Sequence, residues 1–380
     1  MKKDNEKFHR AIRPLRKAID DIDAQILSLL AQRQAQVEKV TALKKSYKQA
    51  VHHPAREEDL ISRLRGRAIE NKMDPDFLED LYRLILKHSR AKQNSHMGPR
   101  GIGAKRHVLV VGGNGQMGGL FADLFRRSGY PVDILTENNW DQVETLCKGI
   151  DLALVSVPIE KTEDVIETIA PHLPAKALLA DLTSIKKEPM EKMLSSHKGP
   201  VMGLHPLFGP TASVLEKQIV VATPGRHSQR GEWLLEQLAL WGAIVVPSTP
   251  EEHDAIMEMV QALRHFATFC FGRFLHQKQV DIQRSLEFSS PIYRLELGMV
   301  GRLFAQDAGL YAQIIFATKE RRELLKEYID CLTQHKAMLD NDNREEFMEQ
   351  FESIAQWFGP FSGQAMREST FLIDRLIERF

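Results

Sequence analysis

The stretch His107–Phe121 reads HVLVVGGNGQMGGLF. A short apolar run, His107–Val111, leads into Gly113, Gly115 and Gly118, a G-x-G-x-x-G spacing that opens a helical segment. Ser128-Gly129 ends that helix, and a second β-rich run follows at Pro131–Leu135. In this strand–loop–helix–strand setting each glycine has a physical reason. Gly113 permits a tight turn, Gly115 lets the backbone approach a pyrophosphate, and Gly118 lets helix pack on strand. The phosphates then face the unpaired N–H groups of the helix N-terminus, at Gln116 and Met117. A glycine-rich turn without ligand shares the spacing but needs no such flanking elements. The acid expected to hold the adenosine ribose comes at Glu137, one residue after Thr136, and no arginine or lysine follows nearby to meet a 2′-phosphate. The reading is therefore NAD over NADP. Ser156-Val157-Pro158 closes another apolar run at the carboxyl edge of the expected sheet, where a cofactor lies in such folds. A strand that simply stops at proline gives the same pattern.

Outward from this stretch, Leu152–Val157 and Ala177–Asp181 are further apolar runs of strand length, separated by helical patterns. Near-continuous apolar strands alternating with helices imply a parallel sheet covered on both faces. Upstream, NSHMGPRGIGAKR (Asn94–Arg106) has glycine, proline and basic residues without periodicity, and places a linker at 95–106. Residues from about 8 to 94 read as all helix. The first helix carries Leu15, Ile19, Ile22, Ile26 and Leu29 at steps of four and three. A second helix runs from Arg56, after Pro54, to about Glu70. A third starts at Asp74-Pro75, an N-cap followed by proline at the first helical position, and reaches about Gln93. From His253 to Phe380 long helical patterns return. The expected organisation is multidomain: all-α over 1–94, an α/β Rossmann dinucleotide-binding unit over 107–252, and a helical domain over 253–380.

Lysine plus arginine and aspartate plus glutamate number 51 each in 380 residues, so net charge is zero. Nothing in that balance points to nucleic acid or a membrane surface as partner. The three cysteines, Cys147, Cys270 and Cys331, are too far apart in sequence for a metal knuckle or redox pair, and no metal is expected. The N-terminus has no apolar h-region, and no uncharged apolar run reaches the ~18 residues of a membrane span. The expected location is cytoplasmic.

His205 stands in GLHPLFGP, 21 positions beyond Ser184 of ADLTSIKKEP. A lone histidine is usually structural; its neighbours in the chain reverse that reading. The run GGNGQMG, SVP, DLTSIK, GLHPLFGP, EEHD, QALRHFATF and SSPIYRLELGMVGRLFAQD resembles prephenate dehydrogenase. The N-terminal helices resemble the all-helical chorismate mutases. Together they resemble the bifunctional chorismate mutase/prephenate dehydrogenases, over essentially the whole chain. The resemblance implies an all-α chorismate mutase domain, a Rossmann domain and an all-α C-terminal dimerisation domain, with chorismate and prephenate as substrates and NAD as cofactor. It implies that His205 takes the proton of the ring 4-hydroxyl as hydride leaves the same carbon, with Ser184 orienting histidine and hydroxyl. Loss of CO2 then gives 4-hydroxyphenylpyruvate. Such a carbinol oxidation needs a base near the hydroxyl, and imidazole titrates in the right range. Arg302 would bind the ring carboxylate. Arg294, eight residues earlier on the same helix and about 80° around it, is the weaker candidate. Lys186, His253 and His265 are further contacts, His265 being as readily a packed core histidine.

The rearrangement of chorismate needs no nucleophile, only a folded dicarboxylate and positive charge at the ether oxygen. Continued past Leu29, the stripe of the first helix meets Arg33, Val37, Val40 and Lys44. Arg33 and Lys44 are about three turns apart and share one face. Charge on a stripe meant for burial is costly without a ligand or partner, although snorkelling at a helix end would also place it there. Arg16 is turned roughly 100° from Arg33, in keeping with the family, where two protomers intertwine and this arginine reaches the partner's site. By resemblance Arg56, Glu57 and Ser89 bind substrate, Gln93 contacts the ether oxygen, Lys44 is catalytic, and tyrosine acts as feedback inhibitor. His53 stands where a related mutase has aspartate and receives no role. A homodimer is expected because the first helix is too long to cover its stripe within its own three-helix set. Two other readings stay open: a β-hydroxyacid dehydrogenase, and an N-terminal domain that only dimerises or regulates.

Overall fold

A computed structural model of the protein describes residues 2–47, 54–97, 101–103, 106–210 and 215–377; His53 lies outside them. Three helices come first, α1 (Lys2–Ser46), α2 (Pro54–Glu70) and α3 (Pro75–Met97). A seven-stranded sheet follows, made of β1 (Val108–Val111), β2 (Val132–Leu135), β3 (Leu152–Val155), β4 (Leu178–Asp181), β5 (Val201–Pro206), β6 (Ile219–Pro224) and β7 (Ile244–Pro247). Between the strands run α4 (Gln116–Arg127), α5 (Val143–Leu146), α6 (Thr162–Ile169), α7 (Lys187–Ser196) and α8 (Glu232–Leu240). The chain ends in α9 (Pro250–Met257), a π-helical turn (Glu258–Leu263), α10 (Arg264–Gln277), α11 (Ile282–Glu287), α12 (Pro291–Phe304), α13 (Ala308–Phe316), α14 (Lys319–Asp340), α15 (Arg344–Phe358) and α16 (Pro360–Ile377).

The strand order is β2-β1-β3-β4-β5-β6-β7. The first five strands are parallel, as the apolar runs predict, but β6 pairs antiparallel to β5, so the sheet is mixed. Alternate residues of the buried strands feed two cores. Val108 and Val110 join Phe121, Phe125, Trp233 and Trp241 on one face. Leu109 and Val111 join Leu135, Ile150, Ile166 and Ile169 on the other. This two-sided burial is why the strands read as unbroken apolar runs rather than alternating ones. Since β1 pairs with both β2 and β3, the strand order reverses beside it, and the crevice at the carboxyl ends of β1 and β3 is where ligands bind in such sheets.

Helix starts in the C-terminal part are set locally. Thr249, Asp281, Ser290, Asp307, Thr318 and Asn343 each accept a hydrogen bond from the backbone N–H three residues on, each worth about 1 kcal/mol. The helical regions bury little within one protomer. Leu15 and Leu29 on α1 are 65% and 62% exposed. Phe347, Phe351, Trp357, Phe361 and Phe371 on α15 and α16 are also exposed. The helix α3 runs to Met97, past the expected end near Gln93, so the first residues of the expected linker are helical. Ile102 is tied to the sheet domain by its N–H, which donates to the Tyr130 hydroxyl (2.7 Å) and to Gln237 Oε1 (3.0 Å). No described helix is long and apolar enough to cross a membrane.

Candidate active sites

At the carboxyl end of β1 the glycine loop is shaped by close contacts. The left-handed residue is Gly112 (φ +82°), and a Cβ there would lie 2.2 Å from the Ser156 carbonyl oxygen. The tight turn therefore falls at Gly112 rather than Gly113, because β1 and the end of β3 meet there. A Cβ on Gly113 would lie 2.9 Å from Ile134 on β2, and one on Gly118 would sit 2.5 Å from the Gly112 carbonyl, so α4 can approach β1 only without one. Gly115 is the N-cap of α4 and offers no side-chain cap, and the first turn holds no acid. The amides of Gln116, Met117 and Gly118 precede the first helical bond, Gly119 N–H to Gly115, and are presented as an anion cradle. Glu137 is exposed two residues past Leu135, whose carbonyl accepts from Gly112 N–H at 2.8 Å. Ser156 is bonded to Val111, and Pro158 begins the next turn, where Ile159 N–H reaches Gln313 Oε1 of α13 at 3.3 Å. These residues suit a dinucleotide: the cradle is of the right charge, and side chains would fill it.

His205 lies on β5, paired with Val221 of β6, and is 3% exposed. The register Asp181↔Gly203 brings the loop after β4, with Ser184, to the same end of the sheet. Thr249 and Pro250 start α9 so that His253 falls on its first turn, facing β5. His205 Nδ1 is 2.8 Å from His253 Nε2, and His253 Nδ1 is 2.7 Å from Asp254 Oδ1. The Asp254 carboxylate also accepts the backbone N–H groups of Lys186 (2.8 Å) and Lys187 (2.9 Å). Burial pushes the His205 pKa well below the ordinary histidine value, and His253, Lys186 and Arg321 push the same way. The imidazole is accordingly neutral. Burial alone would raise Asp254, but bonds from His253 and the amides of Lys187 and Lys186 hold it below the usual carboxylate range.

The remaining expected residues divide. Ser184 does not hold His205: its buried Oγ has no hydrogen-bond partner, and His253 makes the bond instead. Lys186 is not presented to substrate. Its side chain is wholly buried, with Nζ on Asp181 and on the Leu204 carbonyl (3.0 Å), because an ammonium at the sheet's centre must be paired. His265 is buried edge-on to Tyr311 at 4.8 Å, with Nδ1 unpartnered, and burial lowers its pKa to about 4. Arg294 bonds the Leu286 carbonyl. Arg302 is exposed on α12, and among the described residues no hydrogen bond or ion pair ties its side chain to the His205 group.

Two residues around His205 escaped the sequence. Asp254 sits in the EEHD run but carries no signal of its own beyond adjacency to His253. Arg321 is 1% exposed, with Nη1 on the Ile314 carbonyl (2.6 Å) and Nη2 on that of Ser184 (3.1 Å). Only its place three residues after a capping threonine is legible.

In the helical region Arg33 Nη1 donates to Ser89 Oγ at 2.8 Å, joining α1 to α3. Leu30, Arg33, Gln34, Leu84, Ile85, His88 and Ser89 line a groove of about 480 Å³. The Lys44 pKa is lowered, first by burial and then by Arg56, with Glu57 opposing, which places all three together. Gln93 Oε1 is buried without a partner. Arg16 is exposed and joins none of these residues. Arg90, also unforeseen, pairs with Glu57 and with Glu216 (2.6 Å) in the segment between β5 and β6.

Residues 15–94 match the chorismate mutase type II model, 128–246 the prephenate dehydrogenase nucleotide-binding domain, and 249–353 the prephenate dehydrogenase dimerization domain. The T-protein of Haemophilus influenzae is 40% identical over 97% of this chain and 98% of its own. That of Enterobacter agglomerans is 40% identical over 94% of this chain and 96% of its own. The chain belongs to the T-protein family. Among solved structures, the prephenate dehydrogenase of A. aeolicus in complex with hydroxyphenyl propionate and NAD+ is 20% identical. It covers 67% of this chain and 97% of its own, with a TM-score of 0.55, a likeness of fold. The T-protein match spans helices and sheet alike, so both sites described above lie within what the family shares. Among the described residues no cluster of His, Cys, Asp or Glu could hold a metal ion.

Proposed function

We propose that the protein rearranges chorismate to prephenate on its N-terminal helices and oxidatively decarboxylates prephenate with NAD at the sheet, with residue roles as follows. The observation that carries the dehydrogenase half is His205: neutral, buried, held through Nδ1 and placed at the sheet end that also carries the glycine loop. His205 takes the hydroxyl proton. NAD, when bound, accepts the hydride. Ser184, buried and unpartnered, hydrogen-bonds the hydroxyl, and Arg302 holds the ring carboxylate, with Arg294 shaping its helix. His265 lines the same pocket. The amides at Gln116–Gly118 and the loop glycines hold the pyrophosphate, Glu137 the ribose, and Ser156 and Pro158 border the nicotinamide half.

In the mutase half, Arg33 and Arg56 bind the carboxylates. Lys44 and Gln93 meet the ether oxygen as its bond stretches, with Glu57 and Ser89 completing the wall. Arg16 serves the site of a second copy of the chain, and the open stripes of α1, α15 and α16 support a homodimer. The division at 1–94, 95–106, 107–252 and 253–380, a cytoplasmic location and feedback by tyrosine belong to the same reading.

The test is a two-step absorbance assay on the whole chain. Chorismate is expected to disappear before NAD is added, and NADH to rise afterwards. If chorismate persists while added prephenate still yields NADH, the helices are a structural module and the mutase roles fall.

A further inference from the structure

The buried chain Asp254–His253–His205 has a consequence for where protons sit. The Asp254 carboxylate receives two backbone N–H groups besides His253 Nδ1, at 2.8, 2.9 and 2.7 Å, so it acts only as an acceptor. The hydrogen of the last contact must therefore ride on His253 Nδ1. His253, 2% exposed, then has two possible states. Lys186 and Arg321 are already buried beside it, and the relay takes the ring with a single hydrogen, on Nδ1. A neutral ring leaves Nε2 as a lone pair, which only His205 Nδ1–H can satisfy across 2.8 Å. His205 is then left with its lone pair on Nε2, the nitrogen that the protein does not otherwise engage among the described residues.

We propose that Asp254 is a positioning residue of the dehydrogenase: acting through His253, it fixes His205 in the tautomer whose Nε2 accepts the proton of the substrate hydroxyl. The proposal rests on His205 being the base. In the step it serves, the substrate O–H bond breaks and its proton moves to His205 Nε2 as the hydride on the same carbon leaves for NAD. When the bond to the ring carboxylate breaks, CO2 departs, and the electron pair left behind makes the ring aromatic. The phenolate oxygen then takes the proton back from His205, so none is released overall. The imidazolium formed in between is stabilised by the same relay, since His253 can turn its acceptor nitrogen only toward His205 while Asp254 holds the other.

The charged and titratable groups around this relay come from every element packed on it. They are Asp254 itself, Lys186 with Asp181 behind it, Lys187 and Glu188 from α7, Glu258 from the π-helical turn, His265 from α10, and Glu320 and Arg321 from α14. Of these, Asp254 is the one hydrogen-bonded to His253. An asparagine at 254 can present its N–H₂ to His253 Nδ1. Both rings would then reverse, and His205 would present an N–H where the lone pair is needed.

The experiment compares Asp254→Asn, His205→Asn and the double variant, measuring kcat and KM for prephenate from about pH 5 to 9. Chorismate mutase turnover and NAD binding report folding. Asp254→Asn is expected to lower dehydrogenase kcat on the order of 10²-fold, the low end of what a positioned base contributes, with a far smaller change in KM. Its acid limb should move to lower pH, because the carboxylate that favours the imidazolium is gone. On the His205→Asn background it should cost nothing further. His253→Gln, whose amide oxygen can accept from His205 but breaks the link to Asp254, should move kcat in the same direction. Unchanged kcat and pH profile in Asp254→Asn, with His205→Asn inactive, would overturn the relay and leave the base in place. A loss with an unmoved acid limb that also adds to His205→Asn would make Asp254 a structural prop and overturn it too. Full turnover in His205→Asn would remove the base reading and the relay with it.

Discussion

The sheet domain and the N-terminal helices solve the same problem, how to keep charge and polarity where chemistry needs them, in opposite ways. The sheet domain closes on itself: β1, β3, β4 and β5 are buried residue by residue. His205 is sealed by α9 and the neighbouring helices within one protomer. The helices α1–α3 leave their apolar stripe in the open, place Arg33 and Ser89 along a shallow groove, and gather Lys44, Arg56 and Glu57 beside one another. One site is made by burial inside a chain, and its pKa values are shifted by desolvation. The other lies on exposed helices, and in the function proposed above a second chain completes it. The contrast teaches that two active sites on one polypeptide can differ in what destroys them. On that proposal, loss of a packed neighbour threatens the first and loss of the partner the second.

The sharpest way to break this comparison is His205→Asn. It should reduce dehydrogenase turnover by about 10²–10⁴-fold and leave the mutase rate intact, measured on one preparation with both substrates. Equal losses in both activities would mean the two regions do not act separately. Next comes Lys44→Ala, expected to lower mutase turnover on the order of 10²-fold, comparable to losing one donor to a developing oxyanion, with dehydrogenase kinetics unchanged. An unaltered mutase rate would remove Lys44 from the site. Lys186→Met tests whether burial, rather than substrate binding, explains that residue. It should destabilise the protein by about 3–5 kcal/mol, because Asp181 is left buried and unpaired. Denaturant unfolding would report this, with KM for prephenate little changed; a raised KM at full stability would return Lys186 to the substrate.

The smallest effect is in pH. The native pKa of His205 lies below the ordinary 6.5, so the folded state binds fewer protons than the unfolded one below that value. The stability tied to the neutral ring is present above about pH 6.5 and drains away as pH falls toward the native pKa. The acid limb of dehydrogenase kcat/KM should likewise lie below pH 6.5, while mutase turnover, which uses no proton transfer, shows no such limb. An acid limb at or above 6.5 would contradict the sealed pocket.

Much of this was legible before any coordinates. The strands stood out because burial on both faces forces unbroken apolar runs, and the glycine loop because sterics admit nothing else between β1 and α4. The three N-terminal helices followed from their stripe and from Pro54 and Asp74-Pro75. What failed did so for one reason. β6 pairs antiparallel to β5, and no residue pattern in Ile219–Pro224 distinguishes the two directions. Ser184 and Lys186 looked alike in DLTSIKKEP, yet one keeps a buried hydroxyl without a partner and the other is consumed by Asp181. Gly112 took the tight turn expected at Gly113, because it is Gly112 that passes under Ser156.

The sequence by itself determined the local matters: which segments are strand or helix, where helices start, and that a loop of small residues ends in an anion cradle. These depend on neighbours within a few positions, where backbone sterics and hydrogen-bond periodicity act. Only the tertiary structure decided that His253, 48 residues after His205, would meet its Nδ1. It alone decided that Asp254 would be fastened to the amides opening α7, and that Arg321 would reach back 137 residues to the Ser184 carbonyl. Such contacts depend on how α9 and α14 pack against the end of the sheet. That packing is set by the summed burial of many side chains, none of which carries the information alone.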